Sequence, residues 1–161
     1  MRFNTPSLVY LDYSGFAPTS SSIANFLDSL VEAKLDVILD SNLHHDVTLR
    51  QKDGVLVDLS TIMNWMRNVK TLSLSSASVK GLHCVSSQGL CIDRNEVKVL
   101  EIYGFSGRDR EVRQVTCFLR EMQFLQVLKV EIDARDNNKL RLINHLLALP
   151  GLSSKLQIMF L

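Results

Sequence analysis

The sequence predicts an α/β repeat fold in which parallel strands alternate with helical return segments. Short strings recur in its second half: Val69-Lys70-Thr71-Leu72-Ser73-Leu74, Val97-Lys98-Val99-Leu100-Glu101-Ile102, Leu125-Gln126-Val127-Leu128-Lys129-Val130 and Ser153-Ser154-Lys155-Leu156-Gln157-Ile158. Their central leucines are 28 residues apart each time, and three of the four strings read L-x-x-L-x-L with Val or Ile allowed for Leu. Between the strings, apolar residues fall three or four apart, the spacing of one helix face. A period of 28 lies in the leucine-rich-repeat range. The predicted architecture is therefore a leucine-rich-repeat solenoid, horseshoe-like, with helices on the convex side.

Each element follows from local pattern. Leu8-Val9-Tyr10-Leu11-Asp12-Tyr13 fits the strand template, and Ala33-Lys34-Leu35-Asp36-Val37 alternates as a half-buried strand does. These place strand centres at Leu11, Leu35, Leu72, Leu100, Leu128 and Leu156. The long gap before Leu72 reads as a polar insertion around Asp40 to Gly54, with His44, His45 and the turn signal Asp53-Gly54. Leu59, Ile62, Met63 and Met66 predict a helix before the Leu72 strand. Val79 to Cys84 follows Leu72 too closely for an intervening helix and reads as a strand after a tight serine-rich turn. From Asp109 to Phe124 a helix should bury Val112, Val115, Phe118, Leu119 and Met122, leaving Arg113, Gln114, Arg120 and Glu121 largely outside. A last helix should use Leu140, Ile143 and Leu147 and stop at Pro150-Gly151. One repeat buries too few such side chains, at roughly 1.5–3 kcal/mol each, to offset the entropy of ordering its backbone. The repeats must therefore cover one another.

Composition bounds the function. The chain has 161 residues, 46% hydrophobic and 22% charged, with formal net charge +1. That is the balance of a folded soluble chain, with no global field for nucleic acid or an anionic membrane. No apolar run is long enough to span a bilayer, and the first residues lack a signal-peptide pattern. Three cysteines at uneven spacing predict no disulfide framework and an intracellular, cytoplasmic or nuclear, location. His83, Cys84 and Cys91 lack zinc-ligand spacing, and Cys84 reads as a small packed hydrophobe. No nucleophile elbow or phosphate-cradling loop is present. No catalytic residue, metal or cofactor is expected.

The remaining candidate is a surface. In L-x-x-L-x-L the leucine positions point to the core, and the residues between them point to the opposite, concave face. That assigns Tyr10, Asp12, Lys34, Asp36, Thr71, Ser73, Val99, Glu101, Val127, Lys129, Lys155 and Gln157 to a partner-binding face. Its mixed polarity suits a protein partner better than a phosphate backbone. With only seven residues before Leu8, the first strand is expected to leave an edge open to self-association.

Two stretches carry a resemblance. Asn4 to Tyr13 followed by Leu27 to Asp36 resembles the leucine-rich region of plant F-box/LRR-repeat proteins. Val97 to Phe105 and Leu149 to Lys155 are similar to their C-terminal FBD region. The resemblance implies residues 1–96 as an irregular leucine-rich-repeat region and 97–161 as FBD-like repeats continuous with it. It implies the substrate-recognition part of a ubiquitin-ligase receptor. No F-box is visible, and the family carries more sequence between Cys84 and Val97. Adaptor and cullin subunits are thus expected as partners only of a longer form, and the protein target is not written in the sequence. The alternative is a free-standing binding protein with no role in ubiquitination.

Overall fold

In a computed structural model, the chain is described at residues 7–16, 27, 29–38, 57–58, 67–83, 95–149 and 155–161. Strands β1 (Tyr10–Phe16), β2 (Glu32–Ile38), β4 (Thr71–Ser75), β6 (Val99–Phe105), β7 (Val127–Ile132) and β8 (Gln157–Phe160) form one six-stranded sheet in chain order. Every pair in it is parallel. Two short strands, β3 (Val57–Asp58) and β5 (Leu82–His83), pair separately. Helices α1 (Ser76–Gly81), α2 (Asp109–Glu121) and α3 (Asp136–Leu147) complete the described elements.

One backbone device repeats at the strand starts. The carbonyl of Val9 accepts the N–H groups of both Val31 and Glu32, that of Val31 accepts Lys70 and Thr71, that of Lys70 accepts Lys98 and Val99, and that of Lys98 accepts Gln126 and Val127. Strands β2, β4, β6 and β7 are thereby each set beside their predecessor at the same point, so the segments between them can differ in length without disturbing the sheet.

The sheet is apolar on one face only. Leu72, Leu74, Leu100, Ile102, Leu128 and Val130 are at most 1% exposed and share a core with Val115, Phe118 and Met122 of the α2 region. This matches the face expected of the leucine positions. The register does not match in full. Leu128 faces Ile158, two residues beyond Leu156, and Leu11 faces Ala33, two short of Leu35. Leu156 lies just before β8 rather than at its centre. A slip of two residues keeps every side chain on its own face, whereas a slip of one would invert them all. The face assignment therefore survives the register error.

Helix positions bring three corrections. The segment after β4 enters a helix at once: α1 begins at Ser76, and the Ser75 hydroxyl accepts the Ser78 N–H at 3.1 Å as an N-cap. The serine run expected to make a turn caps a helix instead, and Val79 is fully buried. In α2, Gln114 is buried, not on the outer face, and its Oε1 has no hydrogen-bond partner. In α3, Leu140 and Leu147 are 66% and 50% exposed, while Leu146 is buried and Leu142 and Ile143 pack on the core. Two interleaved leucine series in this helix satisfy helical spacing, and packing selects the one that meets the core. Gly107 sits where a Cβ would meet the end of the Leu142 side chain, and its φ of +72° is left-handed. The left-handed backbone of the β6–α2 loop favours glycine there.

Glu111 joins these elements. Its carboxylate is fully buried and accepts the Arg108 N–H at 2.9 Å and the Ser106 hydroxyl at 2.8 Å, with the Ser76 hydroxyl also donating. Lys80 lies 3.4 Å away. Burial alone would raise this carboxyl; the hydrogen bonds from Ser76, Arg108 and Ser106 and the Lys80 charge outweigh it and hold it below the ordinary value. One carboxylate therefore caps α2 and ties it to α1.

Cys117 is buried at 7% exposure and is disulfide-bonded, against the expectation drawn from cysteine spacing. Cys84, Cys91, the His44–His45 insertion, the predicted helix at Leu59 to Met66 and the Pro150-Gly151 stop lie outside the described residues.

Candidate protein-interaction face

Opposite the helices, parallel pairing stacks the outward residues in rows. The central row is Asp12, Lys34, Ser73, Glu101, Lys129 and Met159, one per strand. The row on its N-terminal side is Tyr10, Glu32, Thr71, Val99, Val127 and Gln157. On its C-terminal side Ser14 pairs with Asp36 and Ser75 with Tyr103. In-register stacking makes neighbours of residues that are far apart in sequence.

Glu101 is the hub of the central row. It accepts the Ser73 hydroxyl at 2.9 Å, the Tyr103 hydroxyl at 2.7 Å and the Lys129 ammonium at 2.8 Å. Partial burial works to raise its carboxyl, but these three donors, and then the Lys129 charge, outweigh it and hold it below the ordinary carboxylate value. The Tyr103 hydroxyl is raised in turn, first by donating to Glu101, then by burial and by the charges of Glu101 and Glu131. At the other end, Lys34 lies 3.9 Å from Asp12, and the Ser14 hydroxyl donates to Asp36 at 3.2 Å. Tyr10 donates to Asp12 at 3.4 Å. Its hydroxyl is also raised, by desolvation, then by the Asp12 charge and hydrogen bond and the Glu32 charge.

Ten of the twelve residues expected on this face stand in the rows as exposed or partly exposed side chains: Tyr10, Asp12, Lys34, Asp36, Thr71, Val99, Glu101, Val127, Lys129 and Gln157. Ser73 is in register but 4% exposed, bonded to Glu101 beside it. Lys155 is outside the rows: it belongs to the turn before β8, and the register gives its expected place to Gln157. The template also missed Ser14, Glu32, Ser75, Tyr103 and Met159. The signal was there, since alternation runs past either end of the short strings: Glu32 precedes its string, and Ser14, Ser75, Tyr103 and Met159 follow theirs.

Near Tyr103 the β6–β7 register shifts: Ile102 faces Val130, and Phe105 faces Ile132. The extra residue on β6 is a bulge, with Gly104 at φ +69°. Glu131, exposed on β7, lies across from it. Among the described residues no group of three or more His, Cys, Asp or Glu is arranged to hold a metal, and no helix is long and apolar enough to cross a membrane.

No family model matches the chain, and no solved structure matches it. Curated proteins do. The F-box/LRR-repeat protein At5g25860 of Arabidopsis thaliana is 49% identical over 209 aligned residues, covering 100% of this chain and 44% of the relative. The F-box protein At5g40050 of the same plant is 34% identical, covering 96% of this chain and 44% of its own length. A third, the F-box protein At4g27050, is 27% identical over all of this chain and 49% of the relative. The chain thus spans about half the length, or less, of these relatives. With 209 aligned positions against 161 residues, the first relative carries internal sequence that this chain does not.

Proposed function

The chain belongs to the plant F-box/LRR-repeat proteins, and from that premise we propose that it is a protein-interaction solenoid, the part of such a receptor that holds a target. The observation that carries this is the polar sheet face: in-register rows, turned away from the helices and knitted by side-chain hydrogen bonds. A surface held in one geometry before binding loses less entropy when a partner docks. In this reading the face is non-catalytic, residues 1–96 and 97–161 are leucine-rich-repeat and FBD-like regions of one stack, and the extra aligned residues of the first relative are repeats absent here. Adaptor and cullin subunits act only through an F-box on a longer form. Self-association through β1, which ends the strand order among the described residues, belongs to the same proposal.

The test uses the purified chain as bait in plant extract, beside Thr71→Arg/Val127→Arg on the rows and Arg113→Glu on the exposed side of α2. A captured protein that survives Arg113→Glu and is lost with the row variant supports the reading. Loss only with Arg113→Glu, or equal behaviour of both, sinks it. Adaptor and cullin subunits recovered with a form bearing an F-box mark a ligase receptor; capture of the target without them marks the free-standing binder.

A further inference from the structure

The charge balance of the rows says what kind of partner they fit. Among the described residues, the face carries five carboxylates over the bodies of the strands: Asp12, Glu32, Asp36, Glu101 and Glu131. It carries two lysines, Lys34 and Lys129, and each already faces a carboxylate of the same face, Asp12 and Glu101. The chain as a whole has formal net charge +1, so this face departs in sign from the rest of the molecule. Lys70, Lys98 and Lys155 stand before their strands, at the N-terminal rim rather than over the strand bodies.

The two tyrosines sharpen the pattern. Tyr10 and Tyr103 each donate a hydroxyl to a carboxylate two residues away on the same strand, Asp12 and Glu101. Each is thereby held beside an acid, and Tyr10 is 48% exposed. An aromatic ring next to a carboxylate is a favourable setting for an ammonium or guanidinium, through cation–π attraction and charge together. The hydroxyl donors of Ser14, Ser73, Tyr10 and Tyr103 are spent within the face. The carboxylates of Glu32, Asp36 and Glu131 and the two rings are left to a partner, and they favour one that brings cationic donors.

We infer that the occupant of this face is a lysine- or arginine-bearing segment of a protein, laid across the strands with its cations over Glu32, Asp36 and Glu131 and against Tyr10 and Tyr103. This rests on the reading of the face as a recognition surface and adds the chemistry of what is recognised. Phosphate groups and acidic segments are repelled by the same charges. Close opposite-charge contacts chiefly set the association rate and the choice of partner.

The test is fluorescence anisotropy with two labelled eight-residue peptides, one alternating lysine with serine and one alternating glutamate with serine. The lysine peptide should bind the full chain and weaken as salt rises; the glutamate peptide should not bind. Glu32→Lys/Glu131→Lys changes two exposed side chains outside the core and should cut lysine-peptide affinity about tenfold or more, roughly 1.4 kcal/mol. Circular dichroism checks that this variant is folded. Equal binding of both peptides, or lysine-peptide binding indifferent to the variant, overturns the inference. A target captured by the chain, lost with Thr71→Arg/Val127→Arg yet indifferent to salt and to Glu32→Lys/Glu131→Lys, overturns the inference while the recognition reading stands. A target indifferent to all four row changes sinks both.

Discussion

Strand alternation places Glu101 on the outward face. The structure makes it a carboxylate with three donors, its side chain 15% exposed. Its folded-state pKa is depressed, so the fold favours the ionised form, and protonation works against it. That contribution is complete above the ordinary value of 4.5 and is lost as pH falls through the depressed folded value. Glu101→Gln should therefore be less stable than wild type at neutral pH, by about 1–3 kcal/mol. The gap should close in acid as the wild-type carboxyl takes up its proton. Urea midpoints of the two proteins between pH 7 and pH 3 check this; a gap that is constant with pH would show that the three donors do not bind the charge. Pattern marked Glu101 as outward-facing, but could not count its donors: Ser73 and Lys129 are each 28 residues away in the chain and meet it only through register.

At the scale of elements, Ser78 repairs a mismatch. Strand β2 has seven residues and its neighbour β4 has five, because the chain turns into α1 at Ser76. The buried Ser78 hydroxyl accepts the Val37 N–H at 2.6 Å and donates to the Leu35 carbonyl at 3.0 Å, replacing the backbone β4 no longer supplies. Ser78→Ala should cost about 1–3 kcal/mol by leaving both groups unpaired and buried. Hydrogen exchange at the Val37 amide should rise with it; unchanged protection there would mean another group fills the place. The orientation of α3 has its own test. Leu146→Ala should cost about 2–5 kcal/mol and Leu140→Ala within about 0.5 kcal/mol. Thermal unfolding that ranks them the other way would restore the face read from spacing. The existence of this helix and of α2 was legible in the pattern. The rotation of α3 was not, because two leucine series compete and only the core chooses.

Across the whole molecule, stability should depend on pairs in adjacent strands. Leu100 and Leu128 are fully buried and directly opposite each other on β6 and β7. Each change to Ala should cost about 2–5 kcal/mol. Because the two share one pocket of the core, the double variant should depart from the sum of the single effects by about 0.5 kcal/mol or more. Chemical denaturation of the four proteins in this cycle measures it, and strict additivity would mean that the two strands do not lean on one another.

By itself the sequence determined the α/β class, the parallel strands, the sheet face that each strand residue takes, and the family. All of these depend on periodicity or on identity along the chain, and both are local quantities. Only the tertiary structure decided the register at the two ends of the sheet, the helix after β4, the rotation of α3 and the partners of Glu101 and Glu111. These depend on which segments meet. A two-residue slip leaves the alternation of a strand unchanged, so no local pattern records it, while backbone bonds at the strand starts, from Val31 and Glu32 to the Val9 carbonyl and from Gln157 to the Gln126 carbonyl, go with the observed register once the neighbours are in place.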